Sequence, residues 1–579
     1  LSHEASDRCA GCRLGSVATR CMDRRGKKCG SIHVSTQQLQ DSVPMSDRPF
    51  KAGDGPGFLA TSALSVALFF AAAWPLFFVE VPPFQDLFGH LATLEILGQP
   101  QHFSDFVPTG FFKTNSTLFA LGTALRPLLS SKAFVKLFTV GILALNAWVL
   151  PRFVRFYSGS SAMVQAAPLY GLLVLPWFVA TGMLNFSLSS TLTLVLLMGL
   201  ELQKEDAKVS RGLGLAALTA AIWYTHVFPL ICTGVILLPW VVRQLHRRQP
   251  AQLVRTLMPL AIAVPMAAVS TLSHFGKGIS GDAPAQKTVY DPVTTVIYDV
   301  WSRSFFTLGN GTTATLVPAL CLVWLAFRKP RTDASSAAAD RMFGPASGAL
   351  LGIAYLATPA AAGGWAFFSV RFVPYLWFFV LTRLKTFEPR PIRYFAYAAA
   401  AVASLGGSLD ILKAEADVQQ LAAARTATPG GAALLPMIFD RKGSAKNTWP
   451  LDSASALYVT DRQTTPFDLW AENASMPVLR TRKLPAELSR VGVNNFLNNA
   501  KSIHAFCERV RENFGTRADC ETEFRRRWST FWRVAGTEFT HVLLFKPHLD
   551  VLATLPGAAQ TLYANDGTFL VHLPATTSE

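Results

Sequence analysis

The sequence predicts a polytopic α-helical membrane protein with a soluble α/β domain at its carboxyl end, and three observations predict it. Half of the 579 residues are hydrophobic and only 16% are charged, against roughly 25% charged in an average soluble domain. Apolar runs of bilayer-spanning length recur from Phe58 to Leu409 and then stop. Beyond them the pattern changes to short β-type runs, with Asn565-Asp566-Gly567 as a hairpin signal. The net charge of +16 fits basic cytoplasmic loops. It does not point to nucleic acid, because no basic-aromatic surface motif accompanies it. Three regions follow: an extension over 1–44, a membrane domain over 45–411 and a soluble domain over 412–579.

The extension holds Cys9, Cys12, Cys21 and Cys29, half of the eight cysteines, and has no apolar period. A Cys-x-x-Cys pair followed by two further cysteines is one way to build a small zinc site, but this spacing is irregular. The break in composition instead predicts a non-native or disordered segment, with Met45 as the working start.

The spans are expected at Phe58–Val79, Ala133–Leu150, Met163–Ala180, Leu184–Leu200, Gly212–Thr225, Val227–Val242, Thr256–Ser273, Phe305–Phe327, Phe343–Ala361, Trp365–Thr382 and Ile392–Leu409. Each is close to the roughly 17–25 residues that cross a bilayer, or falls just short of it. Charge then sets orientation. Five loops carry the basic residues: Arg152 and Arg155; Lys204, Lys208 and Arg211; Arg243, Arg247, Arg248 and Arg255; Arg328, Lys329 and Arg331; and Arg383, Lys385, Arg390 and Arg393. Placing all five in the cytoplasm requires Gly212–Val242 to cross twice, folding back at His226-Val227-Phe228-Pro229. That gives about eleven spans, with the amino terminus inside and the carboxyl terminus outside. Asn115–Ser130, flanked by Arg126, Lys132 and Lys136, reads as a helix lying at the interface.

The first outer loop, Glu80 to Thr114, is acidic: Glu80, Asp86, Glu95 and Asp105 stand against Lys113 alone. Within it Asp86 and His90 are four residues apart, the spacing that puts two side chains on one helix face. A second outer loop, His274 to Ser304, holds Asp282, Asp291 and Asp299 with Lys277, Lys287 and Arg303, and reads as a solvated connector, the alternative being a cover over a cavity. Two polar residues stand at the outer ends of spans: Asn185 in Gly182-Met-Leu-Asn-Phe-Ser, and His226 in Trp-Tyr-Thr-His-Val-Phe-Pro. Polar groups at membrane depth are costly and usually face an interior or a wet cavity. Together with Asp86 and His90 they suggest a shared outer cavity.

Taken together, Asp-x-x-x-His in the first outer loop, Gly-x-x-Asn-Phe opening a later span and Tyr-Thr-His-Val-Phe resemble bacterial membrane proteins of the GT-C glycosyltransferase superfamily. The resemblance covers Phe58 to about Leu409. Many relatives read Asp-Tyr-Pro-x-His where this chain has Asp86-Leu-Phe-Gly-His90. It implies transfer of a sugar from a polyprenyl-phosphate donor to an extracytoplasmic glycan, lipid or protein acceptor, at the bacterial cytoplasmic membrane. It implies Asp86 as general base, with His90, Asn185, His226 and Arg303 as substrate-binding candidates. The paired acids of some members are absent, so the metal ligands stay unassigned and a divalent cation is an option. The competing class is a non-enzymatic membrane protein, such as a transporter or an envelope-assembly partner, although no inverted repeat supports the transporter.

In the tail, strands are expected at Leu434–Phe439, Ala456–Thr460, Pro477–Leu479 and His541–Phe545, with a hairpin around Asn565-Asp566-Gly567 and a helix over Leu497–Asn513. In an oxidising compartment Cys507 and Cys520 are placed to pair. Arg525-Arg526-Arg527 reads as a solvated face or a site for phosphate or anionic lipid.

Overall fold

The computed structural model describes residues 55–275, 288–305, 312–327, 341–361, 367–384, 390–467, 476–482, 484–510 and 517–574. The early cysteines, and the basic loop around Lys329, lie outside these. Helices dominate the amino-terminal two-thirds. The first, α1 (Gly55–Ala73), runs into a 3-10 turn at Trp74–Phe77. The segment that follows, expected as the first outer loop, carries α2 (Leu87–Gly98), the short strand β1 (Phe106–Pro108) and α3 (Thr117–Leu125). The long helix α4 (Ser131–Ser158) starts where Ser130 accepts a hydrogen bond from the Ala133 N–H. It stops at Gly159, whose φ of 87° and ψ of 168° form a backbone conformation essentially confined to glycine. Arg152 and Arg155 therefore end a helix and do not form a loop.

The run Met163–Ala180 is not one span. It folds as α5 (Ser160–Gln165), α6 (Ala167–Leu172) and α7 (Trp177–Ala180). Apolarity alone suggests continuity, but Pro168 and Pro176 each remove a backbone donor and disfavour helix at the preceding residue. Next come α8 (Leu184–Glu205), α9 (Val209–Thr225) and α10 (Phe228–His246). The break between the last two is made by His226 in an extended conformation and by Pro229 at the start of α10, so Gly212–Val242 is two helices. The span expected at Thr256–Ser273 lies in a continuous helical stretch made of α11 (Pro250–Leu257), a 3-10 turn and α12 (Ala263–Phe275), of which Pro250–Val269 is long and apolar enough to cross a membrane. The remaining helices are α13 (Val293–Ser302), α14 (Thr312–Phe327), α15 (Pro345–Ala357), α16 (Val373–Thr382) and α17 (Arg390–Ala422).

Among the described residues six helices are long and apolar enough to cross a membrane, and further apolar helices of 10–17 residues accompany them. The chain is thus a membrane-embedded helical protein. Its 33-residue α17 is about 50 Å long, well beyond the roughly 30 Å hydrocarbon core. Its more polar end, from Lys413 onward, leads into the tail.

The tail contains β2 (Leu434–Ile438), α18 (Ala456–Arg462), β3 (Val478–Arg480), α19 (Arg490–Ala500), α20 (Ile503–Arg509), α21 (Arg517–Glu538), β4 (His541–Phe545), α22 (Leu549–Leu552), β5 (Gln560–Ala564) and β6 (Thr568–His572). Ala456–Thr460 is a helix, not a strand: the short apolar run packs against α2, and a run of this length has no periodicity of its own. Leu497–Asn513 is broken where Ser502 starts α20 by accepting from the Ala505 N–H. The sheet order is β2-β4-β6-β5, with β2 and β4 parallel and the others antiparallel. Alternation then gives β2, β4 and β6 two buried apolar faces, while the edge strand β5 is largely exposed. Leu435, Met437, Val542, Leu544 and Val571 join a tail core built around Trp528 and Phe524. Leu434, Ile438, Leu543, Phe545 and Leu570 join the core of the helical frame. A sheet covered on both faces reads as uninterrupted apolar runs, and these two cores are why.

The tail and the first outer loop are tied directly. β1 pairs antiparallel with β3, Phe106 opposite Arg480. Lys113 donates to the Met476 carbonyl at 2.5 Å. Glu80 meets Lys132 at 2.6 Å and Arg425 at 3.5 Å, while Asp461 meets the same two cations. Loop and tail therefore lie at the same end of the helices.

Candidate functional site

The motif residues are brought together by one sharp turn, Ala180 to Asn185. Gly182 has a φ of +79°, and a side chain there would come within 2.7 Å of the Leu87 N and 2.8 Å of the Asp86 N. Only glycine allows this approach. The backbone N–H groups of Gln85 and Asp86 donate to the carbonyls of Ala180 and Thr181, at 3.3 and 3.1 Å. Asp86 is the residue at the amino end of α2, and the His90 N–H closes the first turn on its carbonyl at 3.1 Å. Both side chains are half-buried.

The His90 ring sits edge-on to Phe119 of α3, with Nε2 3.1 Å from the Gly182 carbonyl. Nε2 therefore carries the proton and donates. Loss of solvation lowers the His90 pKa to about 4, opposed by the bond to Gly182, so the ring is neutral at pH 7. It positions the turn and brings no charge of its own.

Three residues on, Asn185 pins the opposite side. Its Nδ2 donates to the carbonyl and the side-chain oxygen of Asn115, both at 2.9 Å, and its Oδ1 accepts from the Leu118 N–H at 3.1 Å. Asn185 thus caps α3 from a distance. The loop before α3 is stitched to the α9–α10 break: Thr114 accepts from the Val227 N–H at 2.9 Å, and the hydroxyls of Thr117 and Thr225 are 2.8 Å apart.

His226 is buried in that break. Its carbonyl accepts from the Ser189 hydroxyl at 2.9 Å and its ring stands edge-on to Phe186. Nδ1 lies 3.2 Å from the Phe228 N–H and Nε2 3.2 Å from the guanidinium of Arg371. A neutral imidazole accepts at one nitrogen only, so these two donors compete for the tautomer. Arg371 is 7% exposed and stands over the rings of Phe186 and Phe228. A signal for it exists in the sequence: a lone arginine inside the apolar run Trp365–Thr382 is a functional candidate by default.

Arg303 stands apart from this group. It pairs with Asp299 at 2.8 Å and lies over Trp177 and Phe367. Burial raises the Asp299 pKa, and the Arg303 charge opposes that. A small apolar cavity lies between, lined by Phe178, Phe186, Ser187 and Ser304 among others. Among the described residues no three His, Cys, Asp or Glu side chains gather as a metal-binding group.

The fold and the site define an integral membrane protein with an acid-histidine helix locked to the helical frame next to a small carboxyl-terminal sheet region. No family model matches the chain, and no curated protein matches it. Among solved structures it is similar to ArnT from Cupriavidus metallidurans in the apo state, with a TM-score of 0.46 and 11% identity over 90% of this chain and 98% of that one.

Proposed function

We propose that the chain is a membrane glycosyltransferase of the GT-C type, moving a sugar from a polyprenyl-phosphate carrier to a glycan, lipid or protein acceptor outside the bacterial cytoplasmic membrane. The observation that supports this best is the lock between two separate motifs: the Gly182 turn fits only against the backbone of Asp86 and Leu87. Residues 180–185 and 85–90 are thereby packed together, at the end of the helices that meets the tail.

In this reading the acceptor hydroxyl attacks the anomeric carbon as the bond from that carbon to the phosphate oxygen breaks. Asp86 takes the hydroxyl proton, the work of a general base. The phosphate leaves with added negative charge, which fixed donors and cations stabilise. Arg371, and from further away Arg303, are the cations assigned to offset that charge, while neutral His90, Asn185 and His226 hold the substrate pocket in shape. A divalent cation, if one is used, adds to the same charge stabilisation.

The test is direct. Purified protein in lipid nanodiscs is given undecaprenyl-phosphate-linked mannose, glucose and arabinose in turn, and release of undecaprenyl phosphate is measured. Protein-dependent consumption of at least one donor is expected. Folded protein that consumes none and binds none would contradict the reading.

A further inference from the structure

One large aromatic residue of the tail is exposed, and its backbone is hydrogen-bonded to the residue that precedes the candidate acid. Trp449 is 39% exposed, and its backbone N–H donates to Oε1 of Gln85 at 3.3 Å. Gln85 is buried and immediately precedes Asp86. The loop that presents Trp449 is stiff. Asp440 accepts from the N–H groups of Lys442 and Gly443, and Asp417 accepts from that of Ser444 at 2.6 Å. The Leu451 N–H returns to the Arg441 carbonyl at 3.2 Å, and Arg441 pairs with Asp452. The neighbours Thr448 and Pro450 are buried, so the loop is anchored on both sides of the exposed ring.

A rigid loop that holds an indole in solvent gives up burial worth a good deal, since Trp is among the largest apolar side chains. The indole face is electron-rich, and the axial C–H face of a sugar ring is apolar with a slight positive charge, so the two stack. A pre-ordered aromatic does this at low entropic cost.

We propose that Trp449 is the acceptor platform: the tail loop forms the acceptor-side wall of the site, and the acceptor is recognised there through a sugar ring. This rests on the transferase reading above and narrows its acceptor to a glycan or a glycolipid. Gln85 ties the loop that carries the platform to the residue before Asp86.

The test is binding, independent of the donor. Full-length protein in nanodiscs is titrated with the methyl glycosides of mannose, glucose, galactose and arabinose, followed by saturation-transfer NMR. Saturable binding of at least one is expected. Trp449→Ala should weaken it about tenfold or more, the loss typical of an aromatic anchor, and Trp449→Phe should restore most of it. Trp449→Leu keeps bulk without a π face and should bind as weakly as the alanine variant, which guards against a folding defect. Binding that survives in the leucine variant, or wild-type protein that binds no glycoside, would overturn the proposal. Failed donor consumption with intact glycoside binding would instead contradict the transferase reading.

Discussion

The imidazole Nε2 of His90 lies 3.1 Å from the carbonyl oxygen of Gly182, a residue 92 positions further along the chain. This bond joins the loop after the first helix to the turn that opens α8, and the geometry around it generates the first predictions.

Gly182→Ala should be among the most damaging small substitutions in the chain. It places a methyl group against two backbone nitrogens and occupies a positive φ. A loss of at least about 2 kcal/mol is expected from strain and overpacking. At Gly141 in α4 an added methyl group would meet nothing within 4 Å, so Gly141→Ala should be neutral or gain up to about 1 kcal/mol. Thermal midpoints of the two detergent-purified variants check this. Similar midpoints would argue against the lock.

His90 predicts a pH dependence. Its folded pKa of about 4 lies below the ordinary value of 6.5, so the unfolded chain takes up the proton first. Stability from this residue is complete above pH 6.5 and declines as pH falls toward 4. Glu80 acts in a lower window. Burial alone would raise its pKa, but hydrogen bonds from Lys132 and Gln419, with the Arg425 charge, bring it to about 2. Its contribution is present above about 4.5 and is lost only below that. His90→Gln, which keeps a donor for Gly182 without titrating, should flatten the midpoint between pH 6.5 and 5. An unchanged slope there would remove His90 as its source.

Much of this site is legible in the chain, and the reasons are physical. Asp86, His90, Asn185 and His226 stand out because a polar residue at the end of an apolar run is expensive unless it has work to do. Their partners do not stand out. Asn115, Thr114 and the Ala180–Gly182 carbonyls act through backbone and short polar groups that carry no periodic signal. Prolines explain the split of Met163–Ala180, which apolarity conceals. In the tail, β4 is legible to its true ends because both of its faces are buried. Ala456–Thr460 reads as a strand but folds within the helix Ala456–Arg462, because packing against α2, and not local pattern, decides it.

Because β1 pairs with β3, the first outer loop and the tail must share a compartment. A cysteine placed at exposed Lys442 should react with a membrane-impermeant maleimide on intact spheroplasts. One placed at Arg247, after α10, should react only after permeabilisation. Equal labelling at both would overturn the assignment of the basic loops to the cytoplasm.

The tail carries a disulfide between Cys507 and Cys520, joining α20 to α21. Closing a loop of this size is worth about 3 kcal/mol in the chain-entropy model. Non-reducing peptide mapping should recover the linked pair, and Cys507→Ser should lower the thermal midpoint of the tail. Two free thiols in protein from an oxidising compartment would contradict it.

The central claim is that Asp86 accepts the acceptor proton, and one comparison tests it most directly. Asp86→Asn keeps the shape of the side chain and its place at the amino end of α2, so insertion and thermal midpoint should be preserved. Asp105→Asn and Glu95→Gln alter acids of the same loop; Glu95 is committed to Arg126 at 2.9 Å. Sugar transfer from a polyprenyl-phosphate donor is measured in membranes with expression matched. Asp86→Asn should lose roughly 10²–10⁴-fold, the range for removing a general base, while the other two keep most of their activity. Transfer at the wild-type rate by folded Asp86→Asn protein would contradict the account.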